Sequence, residues 1–151
     1  MEKQINVIKR NGRGQEPLNI DKIHDMVEYA CEDIKGVSSS QVEMNSGLQF
    51  YDGISTDDIQ QILIKSANDL ISLDNPNYQF VAARLLLFSL RKNLFHRLWE
   101  HPKFIDHIKK LIDLGLYDKG ILENYTEAEI DRMGMWIDHE RDYSFTYAGL
   151  R

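Results

Sequence analysis

At 151 residues the chain is long enough for one domain, or for one small domain and part of another. Its formal net charge of −6 argues against general nucleic-acid binding, which shows as a basic surface, yet leaves room for a small anion wherever cations converge. No run of apolar residues approaches the roughly 18–20 of a membrane span. There is no apolar leader after Met1-Glu2-Lys3-Gln4 and only one cysteine, Cys31, so the expectation is a cytoplasmic protein without disulfides or a cysteine-rich zinc site.

In chain order, Ile5, Val7 and Lys9 fall on one face of a predicted strand, and Asn6, Ile8 and Arg10 on the other. Asn11-Gly12 is a strong hairpin signal, because both residues tolerate positive φ. The run Gln15 to Leu18 contains Pro17, which confines it to an edge or a strand end. From Ile20 the period becomes helical through Ile23, Val27, Ala30 and Ile34, with Asn19 or Asp21 to start the helix and Gly36 to close it. A second helix opens in Ser38-Ser39-Ser40, with Ser40 and Glu43 spaced as a capping box and a modest apolar face of Val42, Met44 and Leu48.

Phe50-Tyr51-Asp52-Gly53-Ile54 reads as a break that could hold a third short strand. Ser55 or Thr56 caps a third helix whose buried stripe is Ile59, Ile62, Leu63, Ala67, Leu70 and Ile71. Asn75-Pro76 starts a fourth, running from Tyr78 to about Arg97 and apolar almost all round, the pattern of a buried central helix. Past His101-Pro102 come an amphipathic helix from Phe104 to Ile112, ending before Gly115, and another capped by Thr126 with Glu129 three residues on. Ile137 to Asp142 is densely charged, and Tyr143 to Arg151 is too short to pack by itself.

The hairpin brings Lys9 and Arg10 toward a helix start that offers free N–H groups and carries Lys22, a plausible cradle for nucleotide phosphates. As an isolated dipeptide, Lys9-Arg10 reads first as solvated charge at a hairpin end; the Asn-Gly turn and the cationic helix start close by bring the two readings nearer to level. At 4 Å one cation–phosphate pair is worth about 1 kcal/mol in water and roughly 4 at an effective dielectric near 20. Three converging cations can therefore outweigh a diffuse, screened excess of acids. Lys92, near the end of the apolar helix, complements the helix dipole or meets an anion.

The histidines His24, His96, His101, His107 and His139 form no i, i+4 metal pair and no HExxH motif, so no metal site is expected. His139, among Asp138, Glu140, Arg141 and Asp142, reads as part of a charged packing network rather than as an acid–base catalyst. Cys31, at helical spacing from Val27, reads as a small buried thiol. The P-loop and Rossmann phosphate signatures are absent.

Val7-x-Lys9-Arg10-Asn11-Gly12 followed by Asn19-x-x-Lys22-Ile23 resembles the opening of an ATP-cone, the regulatory nucleotide-binding domain of many ribonucleotide reductase large subunits. Phe50-Tyr51-Asp52-Gly53-Ile54-x-Thr56, Tyr78-Gln79-x-Val81-Ala82-Ala83-Arg84-Leu85 and Leu90-Arg91-Lys92 continue the likeness. Tyr117-Asp118, Leu122-Glu123-x-Tyr125-Thr126-x-x-Glu129 and Ile137-Asp138-His139-x-Arg141-Asp142 resemble the helical segment that leads into the catalytic barrel of class I enzymes.

The resemblance implies a mainly α fold: a four-helix bundle capped by a small three-stranded β-sheet over residues 1–98, then further helices over 99–151. It implies ATP or dATP, with Mg2+, as allosteric ligand. It also implies the remainder of the large subunit and the small radical-bearing subunit as partners, with no direct nucleic-acid or membrane partner. Carried over by position, the nucleotide contacts would be Val7, Lys9, Arg10, Glu16, Asn19, Lys22, Ile23, Thr56, Phe88 and Lys92. The cations would serve phosphates; Glu16 and Asn19 would read base or sugar.

Three departures stand out. Gln60 and Ser89 occupy places where dATP-inhibited bacterial relatives often carry histidine, one extra residue lengthens the hairpin around Arg13-Gly14-Gln15, and no barrel cysteines follow. The chain by itself therefore carries no catalytic residues. The other reading of the same residues is a stand-alone ATP-cone acting as a nucleotide-responsive interaction module.

Overall fold

β1 (Asn6–Ile8) is the middle strand of a three-stranded sheet. β2 (Gln15–Pro17) runs antiparallel to it, pairing Val7 with Glu16, and β3 (Ile54–Ser55) runs parallel, pairing Val7 with Ile54. Pro17 sits on the outer strand, where its missing N–H costs no ladder bond. The alternation holds: Val7 is buried while Ile8 faces out. This computed structural model describes residues 5–10, 14–96 and 100–151. The Asn11-Gly12 turn, the extra residue near Arg13 and the helix end at Arg97 lie outside the described residues.

Those residues form two compact units, Met1–Leu90 with Asp142–Arg151, and Arg91–Arg141. The first holds the sheet with α1 (Ile20–Cys31), α2 (Ser39–Gly47), α3 (Thr56–Asp69) and most of α4 (Tyr78–Phe95), which continues into the second. Its core is Val27, Val42, Ile54, Leu63, Val81, Leu85 and Phe88, all fully buried. Tyr78 shows how the buried polar groups are satisfied: its hydroxyl donates to Gln41 Oε1 at 2.6 Å and accepts from Ser38 N at 3.0 Å, tying the start of α4 to that of α2.

Several boundaries and faces differ from the sequence expectation. α1 ends at Cys31 rather than at Gly36, since Asp33 takes φ +59° and Arg84 Nη1 donates to Glu32 O at 2.6 Å and Ala30 O at 3.4 Å, serving carbonyls at the helix end. Ile34 thus lies past the helix, and Ile20, in its exposed first position, is not part of the stripe. The cap of α2 is Ser38, not Ser40: its hydroxyl accepts from Gln41 N at 3.4 Å. Met44 and Leu48 are exposed, because the buried side of α2 runs through Val42 and Ser46, one turn apart. Ser55 is the cap of α3, accepting from Asp58 N at 3.0 Å, and Ile64 is buried there while Ile71 is exposed. α4 is not buried on every side, for Leu86 is half-buried and Leu90 and Leu94 are exposed.

The segment from Asp142 packs with the first unit, where Tyr143 lies under the Arg84 guanidinium, 5.2 Å from ring centroid to Cζ. A 3-10 helix, His139–Ser144, and α8 (Tyr147–Leu150) give the last residues a fold that their charge pattern does not suggest.

In the second unit, α5 (Phe104–Asp113), α6 (Gly120–Asn124) and α7 (Glu127–Gly134) bury Ile105, Ile108 and Ile130 against Phe104, Ile112 and Ile121. The capping box of α7 forms as expected, with Glu129 N donating to Thr126 Oγ1 at 3.3 Å and Thr126 N to Glu129 Oε2 at 2.8 Å. The Thr126 N–H bond, with a second from the Thr126 hydroxyl to the same Oε2 at 2.8 Å, holds the Glu129 carboxyl below its ordinary pKa. α5 ends before Gly115, which takes φ +71° and donates to Ile112 O at 2.9 Å.

Candidate functional site

The polar side of the sheet unit gathers from the hairpin upward. Lys9 follows β1, its N–H donates to Gly14 O at 3.1 Å, and its Nζ lies 2.6 Å from Glu16 Oε2. The Lys9 hydrogen bond, helped by the charges of Lys9 and Lys22, holds the Glu16 carboxyl below the usual range. Glu16, Asn19 and Lys22 line one 490 Å³ concavity where β2 turns into α1. Arg10 forms an ion pair with Asp57, in the first turn of α3 beside Thr56. The hairpin thus reaches the N-terminal ends of both α1 and α3, where unpaired N–H groups and the helix dipole favour anions.

The remaining predicted residues serve the frame. Val7 and Ile23 are buried. Asn19 is the N-cap of α1, its Oδ1 accepting from Lys22 N at 3.0 Å, so its oxygen is already engaged and its amide N–H₂ is the part open to a ligand. Phe88 is fully buried, its ring 5.6 Å from that of Tyr29. Lys92 is half-buried in the last turn of α4, in the second unit.

Two participants were not evident in the sequence. Asp57 is one of two acids in the first turn of α3, and its pairing with Arg10 needs the fold. Asp52 Oδ1 accepts from Asn6 N at 2.8 Å and Asn6 Nδ2 at 3.2 Å, while Gly53, at φ +83°, donates to Asn6 O at 2.8 Å. The Asp-Gly pair thereby fixes the edge of β1, and the Asp52-Gly53 dipeptide was the available signal.

Gln60 and Ser89 are inside the bundle. Gln60 is buried and its Nε2 donates to Leu85 O at 2.9 Å; Ser89 is buried as well. Cys31 is half-buried, and burial pushes its thiol up to about 11, which leaves it protonated and unreactive at neutral pH. Among the described residues no group of three or more His, Cys, Asp or Glu side chains could hold a metal ion, and no helix is long and apolar enough to cross a membrane.

The family model for the ATP cone domain matches residues 5–93. The chain belongs to the ATP cone domain family. The matched stretch contains every one of the predicted contact positions, from Val7 to Lys92. Over 151 residues the ATP-cone chain is 47% identical to the ribonucleoside-diphosphate reductase 1 subunit alpha of Escherichia coli (strain K12), covering 100% of this chain and 20% of that protein. It is 42% identical over 147 residues to the ribonucleoside-diphosphate reductase subunit alpha of Enterobacteria phage T4, covering 96% of this chain and 19% of that one. With the Helicobacter pylori subunit alpha it shares 38% identity over 148 residues, covering 97% and 18%. The chain therefore spans about a fifth of the length of the curated relatives it matches.

Proposed function

We propose that this chain is the allosteric nucleotide-binding region of a ribonucleoside-diphosphate reductase large subunit, controlling deoxyribonucleotide synthesis. The observation that carries the reading is the arrangement of Glu16, Asn19 and Lys22 about one concavity, with Lys9 paired to Glu16 and Arg10 paired to Asp57 at the start of α3, inside the stretch matched by the ATP cone. The ligand is ATP or dATP. Lys9, Arg10 and Lys22 serve the phosphates, and Glu16 and the N–H₂ of Asn19 read the sugar or base; Lys92 is assigned to the phosphates on the resemblance alone. Val7, Ile23 and Phe88 give the pocket its apolar backing, and Thr56 contributes at the first turn of α3.

The donor set fits a polyphosphate: mobile lysines near a carboxylate can exchange that partner for a phosphate oxygen. Mg2+, which keeps most of its waters and binds through phosphates, would arrive with the nucleotide rather than in a protein cage. Residues 1–98 are the regulatory domain, and 99–151 lead toward a catalytic domain. The partners are the rest of the large subunit and the small radical-bearing subunit, in the cytoplasm.

Calorimetric titration of the 151-residue chain with ATP and with dATP tests the core of this reading. Saturable binding of either nucleotide, weakened by Lys22→Ala, is the expected result. Heats that stay at dilution level for both overturn it.

A further inference from the structure

The second unit contains an 830 Å³ cavity beside the α5–α7 core, and the nucleotide reading makes no use of it. It collects three of the five histidines, His101 and His107, six residues apart, with the distant His139, and no metal motif joins them. The His101 and His139 rings stack with centroids 3.5 Å apart and planes 7° apart. Phe95 stands edge-on to His101 at 6.0 Å and to His107 at 5.6 Å, so one wall is a continuous aromatic cluster.

Charge distinguishes this cavity from the rest of the molecule. The chain as a whole is at −6, yet among the described residues the cavity wall carries Lys103 and Arg132 against one carboxylate, Asp131. That carboxylate is already engaged, accepting from Ile105 N at 3.2 Å at the start of α5. The volume falls within the roughly 300–1,000 Å³ of small-molecule sites, which pair apolar walls with a few convergent polar groups.

The geometry points to a binding site in this cavity for a planar aromatic anion. Its ring extends the His101–His139 stack against Phe95, and its carboxylate or phosphate oxygens accept hydrogen bonds from Arg132 and Lys103. Met135 and Ile137 form the apolar edge, and the exposed indole of Trp136 between them supplies an intrinsic fluorescence reporter.

The probe is naphthalene-2-carboxylate, titrated into the full chain by calorimetry and by Trp136 fluorescence, with the neutral naphthalene-2-carboxamide as isostere. Saturable binding of one equivalent is expected, with the amide about tenfold weaker, as for loss of a charge-assisted hydrogen bond. Arg132→Gln and Lys103→Gln each weaken the carboxylate and leave the amide unchanged; both residues are exposed, so the fold survives their replacement. His139→Ala weakens both ligands by removing half the stack. Equal affinity for acid and amide overturns the proposal, as does binding indifferent to Arg132 and Lys103. So does no binding, or a probe signal lost on self-association, which would make a second copy the occupant.

Discussion

The ammonium of Lys9 lies 2.6 Å from the Glu16 carboxylate across the β1–β2 hairpin. The pair is exposed on both sides and so adds little to stability, but it holds in position the cation that a nucleotide phosphate would take over. Lys9→Ala should weaken ATP binding by about 1.5–3 kcal/mol, the value of a charge-assisted hydrogen bond. Calorimetry should show this with the melting temperature nearly unchanged, and unchanged affinity would remove Lys9 from the site.

His24 Nδ1 donates to Glu43 Oε1 at 2.9 Å, with Glu28 3.7 Å away on the other ring nitrogen. The Glu43 contact raises its pKa above the ordinary value. A raised folded-state pKa gives stability that is fully present below the unfolded value near 6.5 and is lost as pH rises through the folded one. Thermal melts should therefore show stability declining as pH rises above the unfolded value near 6.5, a decline that His24→Gln abolishes.

Core substitutions should rank by burial rather than by hydrophobicity. Leu85→Ala and Phe88→Ala, at fully buried positions, should cost about 2–5 kcal/mol each, and Leu86→Ala, half-buried, clearly less. Leu48→Ala, almost wholly exposed, should move the urea midpoint hardly at all.

A β-carbon on Gly134 would stand 2.4 Å from Phe104 Cβ, closer than side chains tolerate. Gly134→Ala should cost about 1–3 kcal/mol in the second unit through forced separation of α7 from α5. Hydrogen exchange would show it as lost protection confined to those helices.

A nucleotide switches an assembly only by binding two states with different affinity. By the resemblance Gln60 and Ser89 replace histidines of dATP-inhibited relatives; Gln60 has its amide engaged with Leu85 O, and Ser89 is buried. A complete reductase carrying this region should then keep most of its activity at dATP levels that saturate the cone. Activity assayed against dATP, with assembly mass followed in parallel, checks this, and strong inhibition with a larger assembly would overturn it.

What was legible in the sequence was what local chemistry decides. Pro17 on an edge strand, Thr126–Glu129 as a capping box and Gly115 after α5 all stand as expected, since each depends on a few neighbouring residues. What was not legible depended on partners distant in sequence. α1 stops early because Arg84, more than fifty residues on, reaches its carbonyls. The face of α2 could not be chosen from three scattered apolar residues, because its contacts with α3 run through polar ones, such as Asn45 Nδ2 donating to Ser66 O at 3.3 Å. At the candidate site the cations were evident from their motif, whereas the carboxylates that pair with them, Glu16 with Lys9 and Asp57 with Arg10, needed the sheet to bring them near.

β3 ends at Ser55 and α3 begins at Thr56, so strand and helix share a junction with no linker between them. Ser55 serves both, as the last strand residue and as the cap whose hydroxyl receives Asp58 N. A tilt of the sheet is thus delivered to the axis of α3 without slack, as by a lever fixed to its fulcrum. One glycine inserted at this joint would act as a clutch, leaving a sheet free to answer its ligand while the helix bundle beneath it stays still.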